Sequence, residues 1–459
     1  MVFSSAIFLF AFLPILLLVY FLIDRKLKNV VLLIASLVFY AWGEPKNVFL
    51  MLLSITVNYF LGLLIERFEK GAKFFLVISI VYNLGMLFVF KYLNFTVDII
   101  NSVAKTSIDI APIVLPIGIS FFTFQIMSYV IDVYRHNVKA QKNIINLALY
   151  ISLFPQLIAG PIVRYIDVNE QIAERKTDWN KIYEGFLRFT IGFAKKILIA
   201  DQLSTLADAV FAGNNPSILG HWIGLIAYAL QIFFDFSGYS DMAIGLGKVF
   251  GFDFLENFNY PYISKSIKEF WRRWHISLSS WFRDYVYIPL GGSRKGKLRT
   301  YINLMIVFLL TGLWHGASYN FIVWGLFYAV FLIVERLGFD KVLEKMPAVL
   351  QHIYALIIIL IGWVFFRAEN LTASLDYIKY MFIPSGNDVA NFNLTMNGQY
   401  WFCIAAGIFF SMPHKKLSGI KDSSVVGNTV YNIFVIAVFV IAICYMVGSG
   451  FSPFLYFRF

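Results

Sequence analysis

The sequence predicts an all-α polytopic membrane protein, and three observations carry that prediction. Of its 459 residues 59% are hydrophobic and only 14% are charged, where a soluble domain carries roughly 25% charged residues. Apolar runs recur along the whole length, many of them near the roughly 20 residues that cross about 30 Å of hydrocarbon at 1.5 Å per residue. No polar stretch is long enough to form a separate globular domain, so one integral membrane domain over 1–459 is expected, with N-terminal spans over 1–110, a core over 111–335 and C-terminal spans over 336–459.

Taken in order, Ala6 to Ile23 is an apolar run with no charge before it and Asp24-Arg25-Lys26-Leu27-Lys28 after it. It has neither the basic front nor the small-residue cleavage site of a signal peptide, so it reads as an uncleaved first span with its N-terminus outside. Further runs lie at 30–42, 47–65, 74–93, 113–134, 144–160, 186–200, 218–234 and 238–252, then at 301–317, 319–334, 350–366, 399–413 and 430–449. Several are too short for a full crossing, which predicts about eleven transmembrane helices plus re-entrant or interfacial helices. The longest polar interlude, 367–398, is expected to be an exposed loop. Three N-x-T triplets, at Asn94, Asn370 and Asn393, are no more than chance at this length.

Composition also excludes. Cys403 and Cys444 are the only cysteines, both in apolar sequence, so there is no disulfide framework and no Cys/His metal spacing. The formal net charge is +11, and the 261–300 segment alone sets nine Lys/Arg against Glu269 and Asp284, a net of +7. Lys/Arg-rich loops mark a cytoplasmic face, and the same charge would attract a polyanionic donor there. Nucleic acid is not an expected partner, because the charge sits in membrane-anchored sequence; the lipid bilayer is. Internal similarity between two halves, which often marks transporters, is absent.

Two stretches carry candidate chemistry. Ser266-Ile267-Lys268-Glu269 has capping-box spacing, so a helix should begin near Ile267. Ile267, Trp271, Trp274, Leu278, Trp281 and Phe282 then recur near helical spacing, and Glu269 can pair with Arg273 at i,i+4. This reads as one amphipathic interfacial helix over 266–284, with tryptophans at headgroup level and basic residues toward phosphates or water. His275 within it is either a further interfacial polar residue or part of a site.

The second stretch, Tyr301–Val334, is too long for one span and too short for two with a surface turn. Two legs of about 16 residues, each roughly 24 Å long, would meet near Gly312, Gly316 and Ser318. His315 would then sit recessed beside Trp314, lining a cavity, and Gly312-x-x-x-Gly316 fits a tight helix contact. His315 either hydrogen-bonds across helices or acts chemically. An ionisable residue in a membrane is a functional candidate, and His is the usual base near neutral pH.

Asp235 and Asp241, in FFDFSGYSD beside Tyr239, could each orient a histidine or cap a helix starting near Asp241. Gly291-Gly292-Ser293-Arg294-Lys295-Gly296-Lys297 nearly spells a P-loop, but Leu298 stands where Ser or Thr should hold magnesium. It reads as a basic turn. His275 and His315 lack a third nearby His or Cys, so no metal site is expected, and no bound cofactor either.

At these residues the chain resembles the membrane-bound O-acyltransferase superfamily, in its bacterial alginate O-acetyltransferase branch. The matching stretches are LPIGISFFTFQIMSYVIDVYR (115–135), FPQLIAGPIVRY (154–165), the run from FFDFSGYSD through RRWHISLSSWFRDYVYIPLGGSRKGKLRTYINL (233–304) and TGLWHGASYNFIVWGLFYAVFL (311–332). The likeness runs continuously over about 110–335, and beyond about 370 it is less clear. It implies helices around a central tunnel, with His315 (in WHG) and His275 (in RRWHISLS) as the catalytic histidines.

The resemblance further implies acetyl-CoA as the donor from the cytoplasm, an extracytoplasmic polysaccharide as acceptor, an extracytoplasmic SGNH-type acetyltransferase as partner, and the bacterial inner membrane as location. His315 would be the general base, and His275 would position the donor or stabilise the oxyanion. Lys268, Arg272, Arg273 and Arg283 are candidates for the donor phosphates, with Trp274, Asp235, Tyr239 and Trp314 as further candidate lining. Three rival readings remain: a D-alanyl transferase of the same superfamily fed by a carrier protein, a polysaccharide exporter, and an assembly scaffold.

Overall fold

The computed structural model describes residues 1–213, 217–383, 396–414, 425–449 and 454–455. Their regular structure is helical, with no strand among the described residues. Seven described helices are long and apolar enough to cross a membrane, and three shorter apolar helices accompany them, where about eleven crossings were expected. The chain divides into two compact units, Met1–Phe189 with Met242–Leu255, and Thr190–Asp241 with Glu256–Phe459.

The first unit contains α1 (Phe8–Leu22), α2 (Lys28–Ala41), α3 (Asn47–Arg67), α4 (Glu69–Ala104), α5 (Ile119–Tyr134), α6 (Ile144–Ser152), α7 (Tyr165–Ala173) and the start of α8 (Trp179–Ala194). Helices α3, α4 and α5 pack on one another, and α2 packs on α6. One buried polar cluster is satisfied across the helices, as burial away from water demands. Asn58 Oδ1 accepts from Ser79 Oγ at 2.6 Å and from Asn83 Nδ2 at 2.8 Å, tying α3 to α4.

Two predicted spans are shorter than their apolar runs. The 113–134 run becomes helical only at Ile119, after Pro116 and a left-handed Gly118 (φ +78°). The 144–160 run stops at Ser152, because Pro155 has no amide to donate to the Ile151 carbonyl and its ring would crowd that group; after non-helical Leu153 a single turn, Phe154–Leu157, follows.

In the second unit a π-helical segment, Lys195–Ala200, leads into α9 (Asp201–Phe211). The predicted spans 218–234 and 238–252 are instead one 32-residue helix, α10 (Ile218–Val249). Ser237-Gly238 does not break it. A Cβ on Gly238 would lie 2.7 Å from the Gly192 carbonyl, so this glycine serves close packing on α8 rather than a turn. No helix therefore starts near Asp241.

After α11 (Ile267–Arg273) and α12 (Ile276–Phe282), the chain forms the expected hairpin of α13 (Lys297–His315) and α14 (Tyr319–Val334). Its legs touch backbone to backbone. A Cβ on Gly312 would overlap the Phe321 carbonyl, and one on Gly325 would overlap that of Phe308. The near-P-loop is a turn in which Gly291, Gly292 and Gly296 take positive φ before α13 begins.

Next come α15 (Ala348–Arg367), α16 (Leu371–Tyr380), α17 (Gly398–Phe410) and α18 (Val425–Ser449). The expected loop over 367–398 thus holds a helix. Asn370 caps α16 by accepting from the Ala373 amide, and buried Tyr377 stacks on Phe211 with centroids 4.3 Å apart. Asn393 lies outside the described residues.

Candidate active site

The site in the second unit is built on a helix that stops and restarts. As its spacing predicts, α11 begins at Ile267, with Ser266 Oγ accepting from the Glu269 amide at 3.0 Å. The Glu269 carboxylate reaches back to the Lys265 amide and pairs with Arg273 at 2.9 Å. A partner invisible in the motif completes the cap. Glu335, 2% exposed, accepts from the Ile267 and Lys268 amides at 2.6 and 3.0 Å, satisfying donors that a helix start leaves open.

The single amphipathic helix expected over 266–284 does not form. Helix α11 ends at Arg273, Trp274 is extended, and His275 adopts left-handed φ +44°, ψ +55° before α12 restarts at Ile276. The cause is the 257–259 segment, which pairs with both sides of the bend. The Arg273 carbonyl accepts from the Asn259 amide, and the Asn257 carbonyl from the Ile276 amide. A left-handed non-glycine residue costs about 1–3 kcal/mol and is found where neighbouring structure over-determines it.

The expected headgroup-level tryptophans are also corrected. Trp271, Trp274 and Trp281 are buried in protein. Trp274 packs among Phe258, Phe270 and Trp363 with centroids 4.8 to 5.6 Å away.

His275 is 1% exposed. Its Nδ1 lies 3.2 Å from Asn257 Oδ1, which also accepts from the Ser277 amide at 3.2 Å and from Ser277 Oγ at 2.9 Å. An oxygen accepting from Ser277 offers His275 only a lone pair, so the network assigns the proton to Nδ1. Nε2 is left as a bare acceptor, buried and without a hydrogen-bond partner among the described residues. Burial lowers the imidazole far below its ordinary value, to about 3, so it is neutral near pH 7.

His315 closes α13 and is 4% exposed. Its ring lies 4.9 Å from Trp314, 5.0 Å from Trp324 and 5.0 Å from Phe366 by centroid. Trp314 also approaches the His275 ring, at 6.0 Å, so one indole flanks both histidines. Phe236 of α10 meets His275 edge-on at 4.7 Å, and Phe454 packs behind it against Phe236 and Tyr239.

The remaining candidates separate. Trp314 is buried beside His275 and Tyr239 is buried against Phe454, whereas Asp235 does not orient a histidine. It pairs with Lys196 at 2.6 Å and accepts from the Leu455 amide at 2.8 Å. Asp241 pairs with Lys195 at 2.7 Å. Among the basic residues, Lys268 and Arg272 are exposed, Arg273 is tied to Glu269 and the Asn259 carbonyl, and Arg283 pairs with Asp284. Sequence reasoning missed Asn257, Glu335 and Trp324. Only the first offered a hint, as an amide inside an aromatic run, and nothing in its spacing points to His275.

Comparison with known proteins agrees with this architecture. Residues 139–368 match the membrane-bound O-acyltransferase family. A "Probable alginate O-acetylase" of Pseudomonas aeruginosa is 47% identical over 391 residues, covering 83% of this chain and 75% of that protein. A "Peptidoglycan O-acetyltransferase" of Helicobacter pylori is 37% identical, covering 83% and 80%. A "Teichoic acid D-alanyltransferase" of Bacillus subtilis is 35% identical over 231 residues, covering 47% and 58%. With a family match across half its length and such relatives along most of it, the chain belongs to the membrane-bound O-acyltransferase family and is a multi-pass membrane O-acyltransferase.

Proposed function

We propose that this protein moves an acetyl group from a cytoplasmic thioester, acetyl-CoA, through a tunnel in the inner membrane for O-acetylation of an extracytoplasmic polysaccharide, with an SGNH-type protein as partner. The observation that carries the reading is the pair of buried imidazoles flanking Trp314. His315 takes the proton of the acceptor hydroxyl as its oxygen attacks the thioester carbonyl. The tetrahedral intermediate collapses to the ester and expels the thiolate, which recovers the proton from the imidazolium. Atoms and charge balance without a metal or redox partner.

The His275 tautomer narrows its role. With Nδ1–H donated to Asn257, Nε2 accepts and does not donate, which favours holding a donor N–H over stabilising an oxyanion. Lys268 and Arg272, exposed on α11, are the better placed of the four basic candidates for the donor phosphates.

The acetyl-directed names belong to relatives that cover more of this chain, and more of themselves, than the D-alanyl relative does. That coverage supports acetyl over D-alanyl transfer.

The test is polysaccharide acetylation in cells expressing His315→Ala and His275→Ala, with membrane insertion followed by accessibility labelling. His315→Ala is expected to lose about 10²–10⁴-fold in transfer, the range for a general base, while remaining inserted. An active, correctly inserted His315→Ala protein would falsify the assignment and favour a transporter, which should tolerate the loss of this imidazole.

A further inference from the structure

A second charged cluster lies in the first unit, in a cleft that the acyl-transfer reading does not use. Its lining includes Lys28, Arg175, Lys176, Thr177, Lys181 and Lys248. Two of these cations are neutralised in place. Lys181 pairs with Asp253 at 2.7 Å and Lys248 with Glu184 at 2.9 Å. The one acidic residue in the lining, Asp178, caps α8 through the Asn180 and Lys181 amides.

Lys28 and Arg175 are held differently, by neutral groups alone among the described residues. Lys28 Nζ lies 4.6 Å above the Tyr20 ring and 3.5 Å from Thr177 Oγ1. Arg175 donates to the Gln171 and Ile172 carbonyls and to Asn29 Oδ1, with its guanidinium 4.3 Å above the Phe252 ring. Its Nε is buried without an acceptor among the described residues. Burial, and then the charges of Arg175 and Arg25, lower the Lys28 ammonium below its ordinary value. The fold thus holds cations together at a net electrostatic cost, one that a bound anion would reverse.

We infer that the Lys28–Arg175 cleft binds a phosphoryl anion. The Arg175 guanidinium, its fork braced by the Gln171 and Ile172 carbonyls and Asn29, supplies a fixed positive charge, the Lys28 ammonium adds a mobile point charge, and the Thr177 hydroxyl can donate. The cleft's place also fits a lipid source. It lies just past the end of α1, where Phe21 stacks on exposed Trp179 with centroids 5.9 Å apart, and paired aromatics of this kind sit at headgroup level. A phosphate ester from the aqueous phase offers the same chemistry, and the two sources part in the experiment.

The full-length protein in neutral detergent is titrated with phosphatidylglycerol, phosphatidylcholine, inorganic phosphate and adenosine 3′,5′-bisphosphate, and binding is read by thermal unfolding midpoint and native mass spectrometry. Preferential stabilisation by phosphatidylglycerol over phosphatidylcholine identifies a lipid headgroup; stabilisation by the bisphosphate identifies a soluble ester. Lys28→Gln is expected to weaken whichever response occurs by about tenfold, the loss of one charge-assisted contact. Lys181→Gln, whose partner is Asp253, leaves it within about twofold.

Arg175→Gln is the stronger variant, and because Arg175 also braces the end of α7, Lys28→Gln carries the conclusion if that protein does not fold. Equal response to phosphatidylglycerol and phosphatidylcholine with no response to either phosphate overturns the inference. So does a Lys28→Gln protein that responds like the wild type.

Discussion

The two histidines of the second unit sit in contrasting environments. His315 ends a helix of regular geometry and is walled by aromatic rings, its position set by a hairpin whose legs meet at glycines. His275 occupies a strained backbone position and is held by a polar network centred on Asn257. The first environment is set mostly by the hairpin itself, with Phe366 added from α15. The second depends on a segment 18 residues upstream and on Glu335 far downstream. Nearness in the chain explains why one histidine was easy to place and the other was not.

The hairpin is where the largest effect is expected. Gly312→Ala would drive a methyl group into the Phe321 carbonyl, and Gly325→Ala would do the same at Phe308. Overpacking against side chains costs about 1–3 kcal/mol, and backbone yields less readily, so either variant should give little monodisperse protein and a sharply lowered unfolding midpoint. A Gly312→Ala protein with wild-type stability would show that the legs can part, and that His315 is not fixed by their contact.

Asn257 is the corresponding lever at the bend. Asn257→Ala leaves the Nδ1–H of His275 and the Ser277 donors buried without their acceptor, at about 1–3 kcal/mol. Asn257→Asp keeps an acceptor but sets a carboxylate against Nδ1–H, which stabilises the imidazolium and raises the His275 pKa from about 3. If His275 acts as a neutral acceptor, the acid limb of the pH–rate profile should move upward in Asn257→Asp and not in Asn257→Ala. An unmoved limb, with the variant folded, would remove the His275 protonation state from the rate.

The same imidazole ties stability to pH. Its folded pKa, about 3, lies below the unfolded value of about 6.5, so the unfolded chain binds the extra proton first. Its contribution is fully present above about pH 6.5 and is lost as pH falls toward 3, with a slope of up to about 1.4 kcal/mol per pH unit. His275→Asn should flatten the unfolding free energy over that window. An unchanged slope would mean that other groups set the acid sensitivity.

How much was legible follows from the kind of signal each element carries. Apolar runs gave the helical membrane class and most helix positions, and the Ser266 and Glu269 pair gave the start of α11 to the residue. Periodicity failed at Trp274-His275, because apolar residues at helical spacing describe an aromatic cluster turned inward as readily as an interfacial face. It failed again at Ser237-Gly238, where a glycine that reads as a break is there for close packing on Gly192. Asn257 and Glu335 left no periodic trace, since each acts through a tertiary contact to backbone amides. The histidines drew notice as candidates because an imidazole in apolar sequence is conspicuous; the groups that hold them did not.

The basic face of α11 gives the smallest and most discriminating comparison. Charge alone made Lys268, Arg272 and Arg273 equivalent, yet only Arg273 is spoken for by Glu269 and the Asn259 carbonyl. If the donor is the proposed phosphate-bearing thioester, Arg272→Gln and Lys268→Gln should each raise its KM a few-fold, more at low salt than at high, because exposed charges are screened within about 10 Å at 0.1 M. Arg273→Gln should instead change stability by at most about 1 kcal/mol, the worth of a half-exposed pair, and leave the salt dependence of KM alone. If all three variants behave alike, the face acts as a diffuse field rather than as separate contacts, and the donor phosphates are held elsewhere on the molecule.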